Sequence, residues 1–377
     1  MLHRIRIQNF KSIRDVTVDL DPVTVLVGRS GVGKTNFVLA LRFLRDYLQD
    51  VHSPYQSPTV AMGQTSHVLY TNLPLQFHVD FSVPGFDHDF SYELILHNHS
   101  ALNPLHEALV YGKATVFDQT NELGKQAKWQ TEPAVFPTPP PGPPALGRIP
   151  GLQESVMAYA ALTLGIGVHR FPASVLEQSE DANGSIGLSD DASNYFVVLR
   201  ELVRNWQSVN ARKDILAALQ KINPTVKSVE LDSLQQPTEA IVGHDASSKA
   251  MTLNLAQESD GFRRFYAHLL ALYQTPPKQS LIFEEPENGI HPGALSLLAE
   301  EFQASPVSGR SQVILTTQSP GLLDHFRTEQ IRVVELIDLE TKIGTLAEEQ
   351  REAIHEQLLH PGELLTVDPA RREESAV

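Results

Sequence analysis

The chain has 377 residues, 41% of them hydrophobic and 20% charged, which is the composition of an ordinary globular protein long enough for two or three domains. Its formal charge of −15 excludes a uniformly basic surface, so any nucleic-acid contact would need a local patch or a partner subunit. There is no cysteine, which excludes disulfides, thiolate zinc sites and cysteine nucleophiles.

The N-terminal stretch MLHRIRIQNFK alternates charged and apolar residues and has no signal-peptide core. No apolar run approaches the roughly 20 residues that span a bilayer, so the expectation is a cytoplasmic protein with no membrane partner. Residues 2–7 alternate with period two, as a half-buried strand does, and residues 9–12 (NFKS) form a turn. Residues 16–20 are a second strand, and Asp21-Pro22 punctuates before an apolar strand at 23–27. That strand runs into GRSGVGKT at 28–35, and a helix follows with apolar residues from Phe37 to Leu44. Strand, glycine-rich loop and helix are the context that gives a GxxxxGKT spacing its meaning. Gly28, Gly31 and Gly33 let backbone N–H groups surround phosphate oxygens, and the helix N-terminus adds partial positive charge. Lys34 is placed for the outer phosphates and the Thr35 hydroxyl for Mg²⁺. The stretch Gly28, Arg29, Ser30, Gly31, Val32, Gly33, Lys34, Thr35 and Asn36 therefore predicts a nucleoside triphosphate site.

Residues 51–72 are rich in Pro, Ser, Gly and Thr and read as a long loop. Two alternating runs, 74–83 and 89–97, flank Pro84-Gly85 and predict a hairpin, with a further strand pair over 107–118. Residues 131–151 contain the run FPTPPPGPP, a stiff spacer or a ligand for a partner's aromatic groove. Helical patterns follow at 152–164, 191–208 and 212–222, and short strands at 225–231, 238–243 and 250–255. The stretch SLIFEEPENGIHP at 280–292 is a buried apolar strand ending in two adjacent carboxylates, Glu284 and Glu285. One of them can hold the Mg²⁺ shell while the other orients or deprotonates a water. A last strand is expected near 331–338, then a helical stretch near 346–358 and a charged tail.

Five segments stand in a recognisable order: IRIQNFKSI, GRSGVGKT, ESDGFRRF at 258–265, LIFEEPENGIHP, and VILTTQSPGLLD at 313–324. Together they resemble an ABC-type ATPase head of the RecF/SMC kind, within the broad group of AAA ATPases related to the OLD (overcoming lysogenization defect) family. The resemblance reaches from the N-terminus to about residue 325. It implies an α/β P-loop NTPase fold with a mixed central sheet, an antiparallel β layer and a helical lobe. ATP and Mg²⁺ are the implied cofactors. Ser259, Asp260 and Gly261 match the signature that caps the γ-phosphate of the opposite subunit, so the implied assembly is a homodimer around sandwiched ATP. Arg263 and Arg264 could add charge there, and residues 288–291 match the loop that touches the partner. Gln76 is the candidate for the glutamine of the lobe-connecting loop, placed at the metal.

Two positions depart from the family pattern. Glu284 stands where Asp is usual at the metal, and Gln318 stands where the switch is usually His. Gln can orient a water but cannot take up a proton as His can. ATP binding survives both changes more safely than fast hydrolysis. The expected organisation is an ATPase lobe over 1–130, a Pro-rich linker over 131–151, and a helical lobe with short strands over 152–250. The signature, carboxylate strand and switch follow over 251–345, then a helix and tail over 346–377. OLD-like relatives often carry a Toprim nuclease domain, for which the residues after Gln318 leave no room. A nuclease or other effector is then expected on a separate chain. The implied roles are an ATP-driven switch in DNA maintenance or phage defence, or a nucleotide-binding scaffold that hardly hydrolyses ATP. The third, a transporter's ATP-binding subunit, is disfavoured by the 51–250 insertion.

Overall fold

The computed structural model describes residues 1–50, 73–97, 100–120, 128–130, 146, 153–178, 187–205, 208–232, 239–246 and 249–373. The 51–72 loop and, apart from Leu146, the 131–151 linker lie outside these residues. The chain divides into two compact units, one of residues 1–166 with 328–377, the other of residues 167–327. In chain order the first unit opens with β1 (Leu2–Phe10), β2 (Ile13–Asp19), β3 (Val23–Val27) and α1 (Lys34–Asp50). It continues with β4 (Leu75–Phe81), β5 (Phe90–His97), β6 (Ser100–Tyr111), β7 (Ala114–Thr120), β8 (Lys128–Gln130) and α2 (Gln153–Leu162). Strand β9 (Ile166–His169) crosses into the second unit, which holds α3 (Tyr195–Arg204), α4 (Val209–Ile222), β10 (Val226–Asp232), β11 (Glu239–Ala246), β12 (Lys249–Asn254) and α5 (Asp260–Tyr273). It ends with β13 (Ser280–Glu284), α6 (Leu295–Val307), β14 (Gln312–Thr317) and α7 (Pro320–Leu323). The chain then returns to the first unit as β15 (Ile331–Ile337), β16 (Glu340–Thr345) and α8 (Glu348–His355).

The first unit is built on a seven-stranded antiparallel sheet in the order β2-β1-β4-β5-β6-β7-β8. Its alternation puts Ile5, Ile7, Leu75, Phe77, Val79, Phe90, Tyr92 and Leu94 on one buried face, as period two requires of a sheet with one face in the core. Helix α1 lies on that face: Phe43 stacks on Phe77 with ring centroids 5.8 Å apart, and on Tyr47 at 5.9 Å. Each such ring contributes about 1.5–3 kcal/mol through burial. The predicted hairpin forms as β4 and β5 with Leu75 opposite Leu96. Inside this face the buried Glu107 carboxylate accepts from Tyr92 Oη and from the Leu146 backbone N–H, both at 2.9 Å. A second sheet segment runs β16-β15-β3, with β15 parallel to β3 and antiparallel to β16.

The sequence pattern predicts no strand at the position of β16. The β15–β16 turn places Asp338 and Leu339 at φ of 51° and 65°, which is type I′ geometry without the Asn-Gly pair that announces it. The charged tail also departs from expectation, because the buried Gln350 side chain donates to Asp368 Oδ2 and accepts from the Arg371 N–H, both at 2.8 Å.

In the second unit β13 and β14 run parallel, from Ser280 opposite Gln312 to Glu284 opposite Thr316. Every residue of both is buried, which is why they read as continuous apolar runs. Strand β9 lies beside β13; a four-residue IGVH gives too short a pattern to have been assigned. Helix α5 is buried from Phe262 to Tyr273 apart from Arg264. Its His268 ring sits among Phe171, Phe283 and Phe302, with centroids 4.9–5.9 Å away. Strands β10, β11 and β12 form a separate antiparallel sheet, close to the three short strands expected there. Among the described residues no helix is long and apolar enough to cross a membrane.

Candidate nucleotide site

The phosphate loop belongs to the first unit and starts where β3 ends. Gly28 sits at φ 154°, and a Cβ there would meet Val334 O at 2.2 Å. Gly33 sits at φ 106°, and a Cβ there would lie 2.0 Å from Thr341 Oγ1. Both positions exclude any side chain, on backbone conformation and on space. Lys34 is 6% exposed, and its Nζ donates to Gly28 O at 2.6 Å and to Arg29 O at 2.9 Å. Helix α1 begins at Lys34, so its first N–H groups open onto the loop, where the helix dipole favours an anion. Glycines that no Cβ could replace, a buried ammonium on the loop's own carbonyls and a helix N-terminus together fit a polyphosphate. Arg29, Ser30, Gly31 and Thr35 are exposed around it, Val32 half-buried. Asn36 is turned elsewhere: its Nδ2 donates to Ser12 Oγ at 2.7 Å.

Gln76 lies on β4 between Leu75 and Phe77, on the sheet face opposite the one that packs against α1.

In the second unit the end of β13 delivers the two carboxylates. Glu284 is buried, with Arg170 Nη1 3.6 Å from its Oε2. Glu285 turns out of the strand at φ 47°, its N–H bonded to Thr316 O at 3.1 Å. Its carboxylate is held from two sides: Gln318 Nε2 donates to Oε1, and Asn288 Nδ2 donates to Oε2 at 2.9 Å. The structure thus brings together Glu285 and Gln318, 33 residues apart in sequence. Glu287 went unassigned in the sequence, although it is the third carboxylate of EEPE. Its Oε1 accepts from Thr317 Oγ1 at 2.8 Å and from the Gln318 N–H at 2.9 Å, which pins the residue that holds Glu285. Burial pushes the Glu287 carboxyl above the usual range. The Thr35 hydroxyl in the first unit and the Glu284 carboxylate in the second are each hard oxygen donors of the kind Mg²⁺ takes. Among the described residues no three His, Asp or Glu side chains form a metal cage of their own.

Ser259, Asp260 and Gly261, the residues expected to form the signature, lie at the start of α5. Ser259 Oγ accepts from the Phe262 N–H at 3.3 Å, the N-cap geometry that hydroxyl residues favour. Ser259 and Asp260 are exposed. A Cβ on Gly261 would lie 3.1 Å from Gly289 O, so this helix start approaches the 288–291 loop closely. Arg264 joins the two, its Nη1 donating to Asn288 O at 2.9 Å and to Phe171 O at 3.0 Å. The expectation that Arg263 adds surface charge is corrected. It is 4% exposed, and its guanidinium is engaged by Ala256 O, Glu258 O, Ala173 O, Glu177 and Asp260. A buried guanidinium needs that many acceptors, so Arg263 is committed to the chain's own carbonyls and carboxylates and builds the loop.

A family model described as "AAA ATPase domain" matches residues 1–111, and one described as "AAA domain, putative AbiEii toxin, Type IV TA system" matches residues 155–324. No curated protein matches the chain. Among solved structures the chain is similar to an SMC head bound to the C-winged helix domain of ScpA. That match has a TM-score of 0.54 and 13% identity, covering 93% of this chain and 99% of that one. It is similar also to the Smc head domain from Pyrococcus furiosus with an extended coiled coil, bound to the C-terminal domain of ScpA. There the TM-score is 0.52 at 12% identity, covering 95% and 99%. At such identities these structures show the fold alone, that of an α/β SMC head. Two AAA-domain models thus match separate stretches of the chain and the SMC heads share its fold, so the chain is similar to AAA-type ATPases in sequence and to SMC heads in fold.

Proposed function

We propose that the chain binds ATP with Mg²⁺ on the 28–36 loop and hydrolyses it slowly, as a dimeric switch acting with a separate effector chain in DNA maintenance or phage defence. The observation that carries this reading is the phosphate loop, whose glycines admit no Cβ and whose Lys34 ammonium lies buried on loop carbonyls. Lys34 and the N–H groups of the loop bind the phosphates. Thr35 and Glu284 would hold Mg²⁺, which when bound supplies positive charge against the charge developing on the phosphoryl oxygens. Glu285 orients the attacking water and accepts its proton, with Gln318 and Asn288 fixing the carboxylate's direction. Ser259, Asp260 and Gly261 serve the nucleotide of a second copy, and a nucleic acid is a candidate ligand of the closed dimer.

One observation favours the slower reading, a nucleotide-binding scaffold. Gln318 donates into the Glu285 carboxylate and so occupies a lone pair that a base would use. Phosphate release from the purified chain in ATP and Mg²⁺, with and without DNA, separates the readings. The expected result is slow turnover that falls about 100-fold in Glu285→Gln, the usual worth of a general base, with ATP affinity retained. Equal rates in the two proteins would leave the scaffold reading standing and remove the hydrolytic one. Stimulation by DNA would favour the DNA-maintenance role.

A further inference from the structure

Three residues far apart in sequence form one chain of hydrogen bonds behind the phosphate loop. Asn36 Nδ2 donates to Ser12 Oγ at 2.7 Å. Ser12 Oγ and Thr341 Oγ1 are 2.6 Å apart, and Thr341 Oγ1 donates to Val32 O at 2.9 Å. The two ends fix the direction of every proton. An amide N–H can only donate and a carbonyl can only accept, so Ser12 donates to Thr341 and Thr341 donates to Val32. A backbone bond backs the side-chain one, with the Thr341 N–H donating to Ser12 O at 2.7 Å. Thr341 is fully buried, where an unmade hydrogen bond is costly.

We propose that Thr341, with Ser12, is a positioning residue for nucleotide binding. A peptide unit is planar and trans, so its C=O and its N–H point opposite ways. Holding Val32 O toward Thr341 turns the Gly33 N–H away from Thr341, which in the proposed role aims it at bound phosphate. The chain begins on Asn36 and ends on Val32, and so braces both flanks of Gly33, Lys34 and Thr35. It also accounts for the glycine at 33, where a Cβ would lie 2.0 Å from Thr341 Oγ1 and 3.0 Å from Ser12 Oγ. Thr341 lies on β16 and Ser12 in the β1–β2 turn, so both are placed by the strands of the first unit. The role rests on the phosphate-loop reading above.

The test is ATP affinity of the full chain by calorimetry in EDTA, for Thr341→Val, Thr341→Ser, Ser12→Ala and Lys34→Ala, with thermal melting alongside. Valine keeps the branched shape and removes the hydroxyl. Thr341→Val is expected to raise the Kd about tenfold, the scale of one or two hydrogen bonds. Thr341→Ser should restore it, because the hydroxyl alone carries the role. Ser12→Ala should match Thr341→Val, and the double variant should be no weaker than either, as members of one network are not additive. Unaltered affinity in Thr341→Val, or loss in Thr341→Ser equal to that in Thr341→Val, would overturn the role. Should Thr341→Val melt at low temperature, Ser12→Ala decides by the same criterion. Lys34→Ala separates the two levels. If it loses affinity while Thr341→Val and Ser12→Ala do not, only the positioning role fails; if it binds ATP normally, the phosphate-loop reading fails with it.

Discussion

Lys34 spends its ammonium on two carbonyl oxygens of its own loop, Gly28 and Arg29. A buried cation must be solvated by something, and neutral carbonyl dipoles are weaker partners than phosphate anions. The exchange of one for the other is therefore expected to favour nucleotide binding. Lys34→Ala is expected to lose ATP affinity by tenfold or more, since charge-assisted bonds are about twice as strong as neutral ones. The melting temperature should change little. A calorimetric titration reads the first and circular dichroism the second; a folded Lys34→Ala protein with unchanged affinity rules out the loop. The same scale explains why Glu287 matters. It touches no reacting group, but its carboxylate fixes the Gln318 N–H, and Gln318 in turn fixes Glu285.

Helix α5 joins an exposed end to a buried one. Its first turn presents Ser259 and Asp260, while Arg263 ties it to the loop preceding it and Arg264 ties it to the 288–291 loop. Further along, His268 is wholly enclosed, and burial depresses its pKa to about 3. The bond from Nδ1 to Arg264 O, at 2.7 Å, opposes that shift, while His169 and Arg264 facing the ring add to it. The folded pKa lies below the unfolded value near 6.5. The unfolded chain thus binds the extra proton, and stability is full above about pH 6.5 and declines as pH falls toward 3. At pH 5 the loss from this one group is on the order of 2 kcal/mol. His268→Phe keeps a ring among Phe171, Phe283 and Phe302 and removes the titration. Denaturant unfolding at pH 7 and pH 5 should show the unaltered protein losing more stability than His268→Phe between the two. Parallel losses would show that His268 does not carry the effect.

At the scale of the whole molecule the question is assembly. The phosphate loop opens at the start of α1, and the signature opens at the start of α5, in different units of the chain. The proposed dimer matches the loop of one copy to the signature of another across a two-fold axis, so that two nucleotides close one self-complementary interface. ATP then shifts the equilibrium by binding the closed form more tightly than the open one, and loss of the γ-phosphate releases it. Glu285→Gln keeps the shape of the site and should accumulate dimer in ATP and Mg²⁺. Ser259→Arg places a long side chain at the exposed cap and should stay monomeric while still binding ATP. Light scattering in ATP compares them, and equal masses for the two would refute the sandwich.

The local pattern alone determined many of the strands and helices, and it marked the glycine-rich turn between β3 and α1. Period-two alternation and the GxxxxGKT spacing are properties of neighbouring residues, and β4, β5 and the loop follow from them. The same holds for the EEPE stretch, whose apolar run ends where the carboxylates begin. Other features were settled only by contacts between distant segments. The β15–β16 hairpin turns on Asp338 and Leu339, which carry no turn signature, and it forms because β15 pairs with β3. Arg263 reads as a surface charge until the acceptors around it are seen. Thr341 reads as nothing at all. Its role depends on meeting Ser12 across 329 residues, and no periodicity in the sequence encodes a hydrogen bond of that span.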